Sequence, residues 1–305
     1  MLQLLTLAWF TLVALGLGDT LQQRLDPTIH GLQRVVSAIL LGIGMLGALV
    51  WVVGWIAWTP AVAWGLLTLL TIPLFFNQRL RRYRAKLPIL RERFRYWWDQ
   101  LTRLDRVLLL AIGVLFGLHL VLAWNPLIGW DASSDHYVIP KLYLQAGHVV
   151  QTPQISFGNY PGLIHNVFAW AFALGGLPLA GLFNWLFAAL LAVLLYSFGR
   201  TLHSRTAGFI ATLAFFVSPT IYWLTTTGYL DLIHALFLVA LLVQWQHYVR
   251  ENRPGMPILA GIFAGLALGT KHLAVIHLVC LFAGRLWVAW REGEGRPWKR
   301  VFQEL

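Results

Sequence analysis

The chain has 305 residues, of which 58% are hydrophobic and 11% charged, with a mean hydropathy of +0.67. Soluble domains carry about 25% charged residues, so a water-soluble globule is excluded. Lys and Arg outnumber Asp and Glu by 23 to 12, and in so apolar a chain this excess points to the basic face of a membrane protein rather than to nucleic acid. The single cysteine, Cys280, lies in an apolar run and excludes an internal disulfide or a thiolate metal cluster.

Crossing ~30 Å of hydrocarbon takes about 20 apolar helical residues. In chain order, spans are predicted at 1–18, 35–58, 60–76, 107–124, 176–199, 207–224 and 229–249. The first lacks a charged n-region and an A-x-A site, so it reads as a span rather than a cleaved signal. The stretch 257–290 is too long for one span and is interrupted at Thr270-Lys271-His272, which predicts two helices with a break and brings the total to about nine. Between spans three and four, ten cations from Arg79 to Arg106 are interleaved with Leu, Phe, Tyr and Trp. That pattern predicts an amphipathic segment on an anionic inner leaflet. The chain divides accordingly into a three-span N-terminal extension with this basic segment, 1–104, and a helical membrane module, 105–305.

Further Lys and Arg at 200, 205, 250, 253, 285, 291, 296, 299 and 300 fit the same cytoplasmic side, as do Arg24 and Arg34 if the first span runs inward. Only Lys141 and Lys271 are left away from the inner face, with three acids outside or at outer helix ends: Asp131, Asp135 and Asp231. Charges on the side that topology does not favour cost free energy and call for a partner, often a functional one. The competing account is a long solvated loop over 125–175. Within that loop, 162–174 is apolar but only about 13 residues long, which suits a juxtamembrane helix at the outer surface better than a span.

Four motifs in this half of the chain resemble those of the GT-C superfamily of integral-membrane glycosyltransferases, which includes protein O-mannosyltransferases and bacterial aminoarabinose transferases. Trp130-Asp131-Ala132, His136, Lys141-Leu142-Tyr143-Leu144 and Ala146-Gly147 resemble the acid, Tyr-His pair and K-L-W-L-x-x-G helix of the family's first outer loop. Asn159-Tyr160-Pro161 resembles its N-Y-P lead into a juxtamembrane helix. Ser218-Pro219 with Tyr229-Leu230-Asp231-Leu232 resembles the acidic second loop, and the run from Gly265 to Lys271 resembles the G-L-A-x-G-T-K turn. Asp135 departs from the pattern, standing where the family often has Tyr. The chain also stops soon after the sixth span of the module, so the module is expected to be incomplete at its C-terminus, with a partner subunit as one source of the missing spans.

The resemblance implies an all-α polytopic membrane protein with a GT-C-like helix bundle and a juxtamembrane-helix outer loop, sited in a bacterial inner membrane with its active site on the outer face. It implies transfer of a sugar from a polyprenyl-phosphate donor to an envelope glycan, lipid or protein, with no nucleic-acid partner. Such a transfer needs a base for the attacking hydroxyl and a cation for the leaving phosphate. Asp131 is the candidate base. Lys271 is the first candidate for the phosphate and Lys141 the second, with snorkelling as the competing account of both. Asp231 is read as orienting the acceptor or the base, or as an N-terminal dipole partner of its helix. His136, Asp135, Tyr160 and His165 complete the candidate substrate-binding set, although a wet interface also accounts for His165. Asp231 with His234, and Asp135 with His136, could ligate a divalent cation, but no tight spacing supports one and no cofactor is expected. The alternatives are a non-catalytic membrane subunit and a lipid or solute transporter using the same charges.

Overall fold

A computed structural model describes the chain except residues 77–87, 125–128, 156–157, 159–161, 252–254 and 292–305. Its helices are α1 (Leu2–Leu25), α2 (Gly31–Gly54), α3 (Pro60–Phe76), α4 (Leu90–Asp99) and α5 (Arg103–Trp124). A π-helical turn over Ala132–His136 leads into α6 (Val138–Ala146), then α7 (Leu163–Leu202), α8 (Arg205–Val217) and α9 (Pro219–Thr226). The last three are α10 (Asp231–Glu251), α11 (Gly255–Thr270) and α12 (Ala274–Arg291). No strand occurs among the described residues. The protein is an all-α polytopic membrane protein, as its composition requires.

By length and composition, α1, α2, α5 and α7 can each cross a bilayer, and α8 with α9 make a fifth if that bent pair is one span. The shorter apolar helices among the described residues are α3, α11 and the apolar part of α12, Ala274–Val288. Apolar helices therefore occur where about nine spans are expected, but fewer have full spanning length. The predicted span 207–224 is not a straight helix. It bends by 65° between α8 and α9, because Ser218, with ψ 123°, is held extended by the following Pro219. The expected break at Thr270-Lys271-His272 is present, between α11 and α12.

Helix α1 lies against α2 at glycine contacts. A Cβ on Gly18 would sit 1.8 Å from the Ala38 carbonyl oxygen, and one on Gly42 would sit 1.9 Å from that of Ala14. Small residues let membrane helices approach to this distance, and here the facing atoms are backbone that cannot rotate away. Gly42→Val is therefore expected to cost at least the ~1–3 kcal/mol of ordinary overpacking, read as a lower unfolding temperature in detergent. Gly65→Val, at a glycine of α3 with no atom within 4 Å of its Cβ position, should leave that temperature nearly unchanged.

From α1 and α2 the core continues into α7, α10 and α11. Trp170 Nε1 donates to the Leu46 carbonyl at 3.0 Å and Trp58 Nε1 to that of Ala169 at 3.3 Å, pinning α7 to α2 and to the chain leading into α3. Forty helical residues would extend about 60 Å, twice the hydrocarbon thickness, and α7 is in fact two helices joined at Gly176, with φ 69° and ψ −155°. Residues 163–175 are thus separated from the span that follows, as predicted. They do not lie open on a surface, however: Ile164 to Leu174 are all buried. An apolar stretch covered on every side is a core helix.

Beyond the spans, α4 carries the predicted amphipathic character, with Phe94 and Tyr96 exposed and Phe94 packed near Trp97 and Trp98. Most of the basic run ahead of it, 77–87, lies outside the described residues. Arg34, grouped with the basic face on sequence, is instead buried between α1 and α2. Its Nε and Nη2 donate to Asp19 Oδ1 at 2.9 and 2.6 Å and its Nη1 to the Ile29 carbonyl at 3.1 Å.

Candidate active site

Two loops far apart in sequence are clamped together at the head of the site. Gly129 N–H donates to the Thr227 carbonyl at 3.2 Å, and a Cβ on Gly129 would fall 2.6 Å from Tyr229 Cε2. In return, a Cβ on Gly228 would fall 2.5 Å from Tyr137 Cζ, and Gly228 holds the positive φ of 79° that an L side chain resists. Neither glycine is singled out by the sequence pattern, because a close approach between loops leaves no periodic signal. The contact joins the segment bearing Asp131 to the segment bearing Asp231.

Asp131 precedes the π-helical turn, a geometry common at functional sites. It is half-buried beside Trp130, which is 78% exposed, and its carboxylate has no hydrogen bond or ion pair among the described residues. The turn directs Asp135 and His136 inward, where both are buried. They are therefore not the solvated loop residues that the competing account requires. His136 Nδ1 lies 2.7 Å from Asp135 Oδ1 and 3.3 Å from His165 Nε2. The Asp135 contact is close without the angles of a hydrogen bond, so Oδ1 lacks a proper donor, and His136 Nε2 is also buried without a partner. His165 is itself buried and hence not at a wet interface: it fastens the start of α7 to the π-helical turn.

Burial pushes the Tyr137 phenol well above its usual range and the Tyr143 phenol up to about 12. Both phenols therefore stay protonated near neutral pH. Lys141 is exposed, with its ammonium 5.2 Å from the centre of the Phe172 ring. That contact anchors α6 to the first part of α7 through a cation–π interaction.

At the break after α11, Lys271 Nζ donates to Asp231 Oδ1 at 2.8 Å, with the two side chains 23% and 40% exposed. The lysine follows the C-terminus of one helix and the aspartate opens another, so both helix dipoles favour the charges they meet. One turn into α10, His234 is buried with neither ring nitrogen hydrogen-bonded, and its ring centre is 5.7 Å from that of His277 on α12. Asp231, Lys271 and His234 thus share one place, and Asp135, His136 and His165 share another. Among the described residues, no three His, Cys, Asp or Glu groups are arranged to hold a metal ion. Tyr160 lies outside the described residues.

Residues 172–303 match the family model of dolichyl-phosphate-mannose-protein mannosyltransferases. The matched segment contains Asp231 and Lys271, and the loop bearing Asp131 precedes it. No curated protein and no solved structure matches the chain. Over 172–303 the chain is thus similar to a mannosyltransferase family of GT-C type, which supports a multi-pass membrane glycosyltransferase and bears out the resemblance drawn from the motifs.

Proposed function

We propose that the chain moves a sugar from a polyprenyl-phosphate donor to a cell-envelope acceptor on the outer side of a bacterial inner membrane. In this reading Asp131 takes the proton of the acceptor hydroxyl as its oxygen bonds to the anomeric carbon. The bond from that carbon to the phosphate oxygen breaks, and the phosphate leaves with the electron pair towards Lys271. The observation that carries the reading is the Lys271–Asp231 contact of 2.8 Å, next to the loop that pairs with Gly129, two residues before the unpartnered Asp131 carboxylate. Asp231 keeps the ammonium aligned until a phosphate competes for it, and a charge held ready in this way costs little reorganisation during the reaction.

Charge-assisted hydrogen bonds contribute about 1.5–3 kcal/mol. Lys271→Gln is accordingly expected to lower kcat/KM for the lipid-linked donor by about 10- to 150-fold. Asp231→Asn should cost less, because it releases the lysine without removing it. Turnover of a purified lipid-phosphate sugar by both variants separates the outcomes. Equal losses, accompanied by equal losses of thermal stability, would make the pair a structural clasp and remove Lys271 from the chemistry.

A further inference from the structure

A second recess lies away from these loops, between α5, α7 and α8, with α4 across one end. It is an apolar slot of about 370 Å³ whose walls include Trp97, Leu109, Gly113, Phe116, Tyr196 and Phe209. Its direction is fixed by two ring contacts. Tyr196 meets Phe209 with ring centres 4.9 Å apart, and Phe116 stacks on Trp185 at 4.4 Å. Leu109, Tyr196 and Phe209 therefore stand at one end and Phe116 at the other, about 10 Å further along α5. Beside Gly113 the wall is open, because a Cβ there would meet no atom within 4 Å.

Every element at the first end carries an arginine one helical turn beyond its lining residue: Arg93 before Trp97, Arg106 before Leu109, Arg200 after Tyr196 and Arg205 before Phe209. Two of them brace the end. Arg205 Nη1 donates to the Gln100 carbonyl at 2.9 Å, and Arg106 Nη2 donates to that of Trp98 at 3.3 Å while its guanidinium lies over the Trp98 ring. Arg106 Nε is buried with no hydrogen-bond partner. Arg93 and Arg200 are exposed. The nearby carboxylate of Asp105 is turned inward, accepts from Thr102 N–H and Thr206 Oγ1 and feels the Arg205 charge, and among the described residues none of the four arginines is within ion-pair distance of an acid.

An apolar slot with an arginine one helical turn from a lining residue on each of its four elements, two of them bracing one end, matches one chemistry, an acyl chain joined to an anionic phosphate headgroup. We propose that this slot binds one anionic phospholipid, its chain lying along Gly113 and its phosphate among Arg93, Arg106, Arg200 and Arg205. The lipid fills the space between the spans and α4, and so docks the basic helix to the bundle. This assignment is independent of the transferase chemistry.

Native mass spectrometry of the full chain in mild detergent, titrated with phosphatidylglycerol, phosphatidylcholine or a polyprenyl phosphate, tests it. The expected result is one retained phosphatidylglycerol, bound about tenfold more tightly than phosphatidylcholine, a 1.4 kcal/mol preference. Arg93→Gln with Arg200→Gln should abolish the preference while leaving a bound lipid. Gly113→Leu should abolish occupancy. Gly117→Leu, on the same helix at another glycine with no atom within 4 Å of its Cβ position, should keep it and controls for folding. Equal binding of the two phospholipids, or unchanged occupancy in Gly113→Leu, would overturn the proposal. So would stoichiometric displacement of phosphatidylglycerol by the polyprenyl phosphate, which would give the slot to a carrier lipid.

Discussion

Asp131→Asn is expected to lower sugar transfer by roughly 10²–10⁴-fold, the range supplied by a positioned general base, without lowering the unfolding temperature. The asymmetry follows from the surroundings of the carboxylate, which is half-buried and makes no hydrogen bond or ion pair among the described residues. An amide of the same shape therefore breaks no contact but cannot accept the proton. The measurement is a mass-spectrometric comparison of envelope glycans and lipid-linked sugars from cells holding matched amounts of either chain. Loss of one sugar addition together with accumulation of its lipid-linked donor is the expected outcome, and it names both substrates. If the two profiles coincide while deletion of the whole gene changes them, Asp131 is not the base.

The largest stability effect is expected at the other end of the molecule. Arg34→Met would leave the Asp19 carboxylate buried and unpaired between α1 and α2, where its Oδ2 already lacks a donor. Removing one partner of a buried ion pair costs about 3–5 kcal/mol. Replacing both partners with groups that carry no charge avoids stranding one, so Arg34→Met combined with Asp19→Asn should recover most of the loss. Denaturant unfolding in detergent would measure both. If the double variant is no better than the single one, the guanidinium matters through its bond to the Ile29 carbonyl rather than through charge neutralisation.

The fate of Arg34 illustrates where sequence reasoning reaches its limit. A positive-inside argument counts cations near span ends, and it cannot tell an arginine facing headgroups from one buried against Asp19. The same holds for His165 and for the apolar stretch 163–175. Their composition suits a membrane interface, whereas the structure covers them with α2, the π-helical turn and the rest of the bundle. Apolarity reports that a surface avoids water, not whether lipid or protein covers it.

What the sequence determined by itself is the class of the protein, most of its helices and most of their breaks. Each of these depends on local properties: apolar length sets a spanning helix, and Lys271-His272 interrupts the last apolar run, whereas the bend at Ser218-Pro219 inside the expected span 207–224 emerged only in the structure. The sorting of charges by topology also marked Asp131, Asp135, Asp231, Lys141 and Lys271 as charges that call for partners. Only the tertiary structure decided the partners themselves: Asp231 with Lys271, His136 with His165, and Gly129 with Thr227. Contacts between residues distant in the chain depend on how whole helices pack, and that packing rests on glycine approaches such as Gly42 on Ala14, which carry no periodicity for a sequence to display.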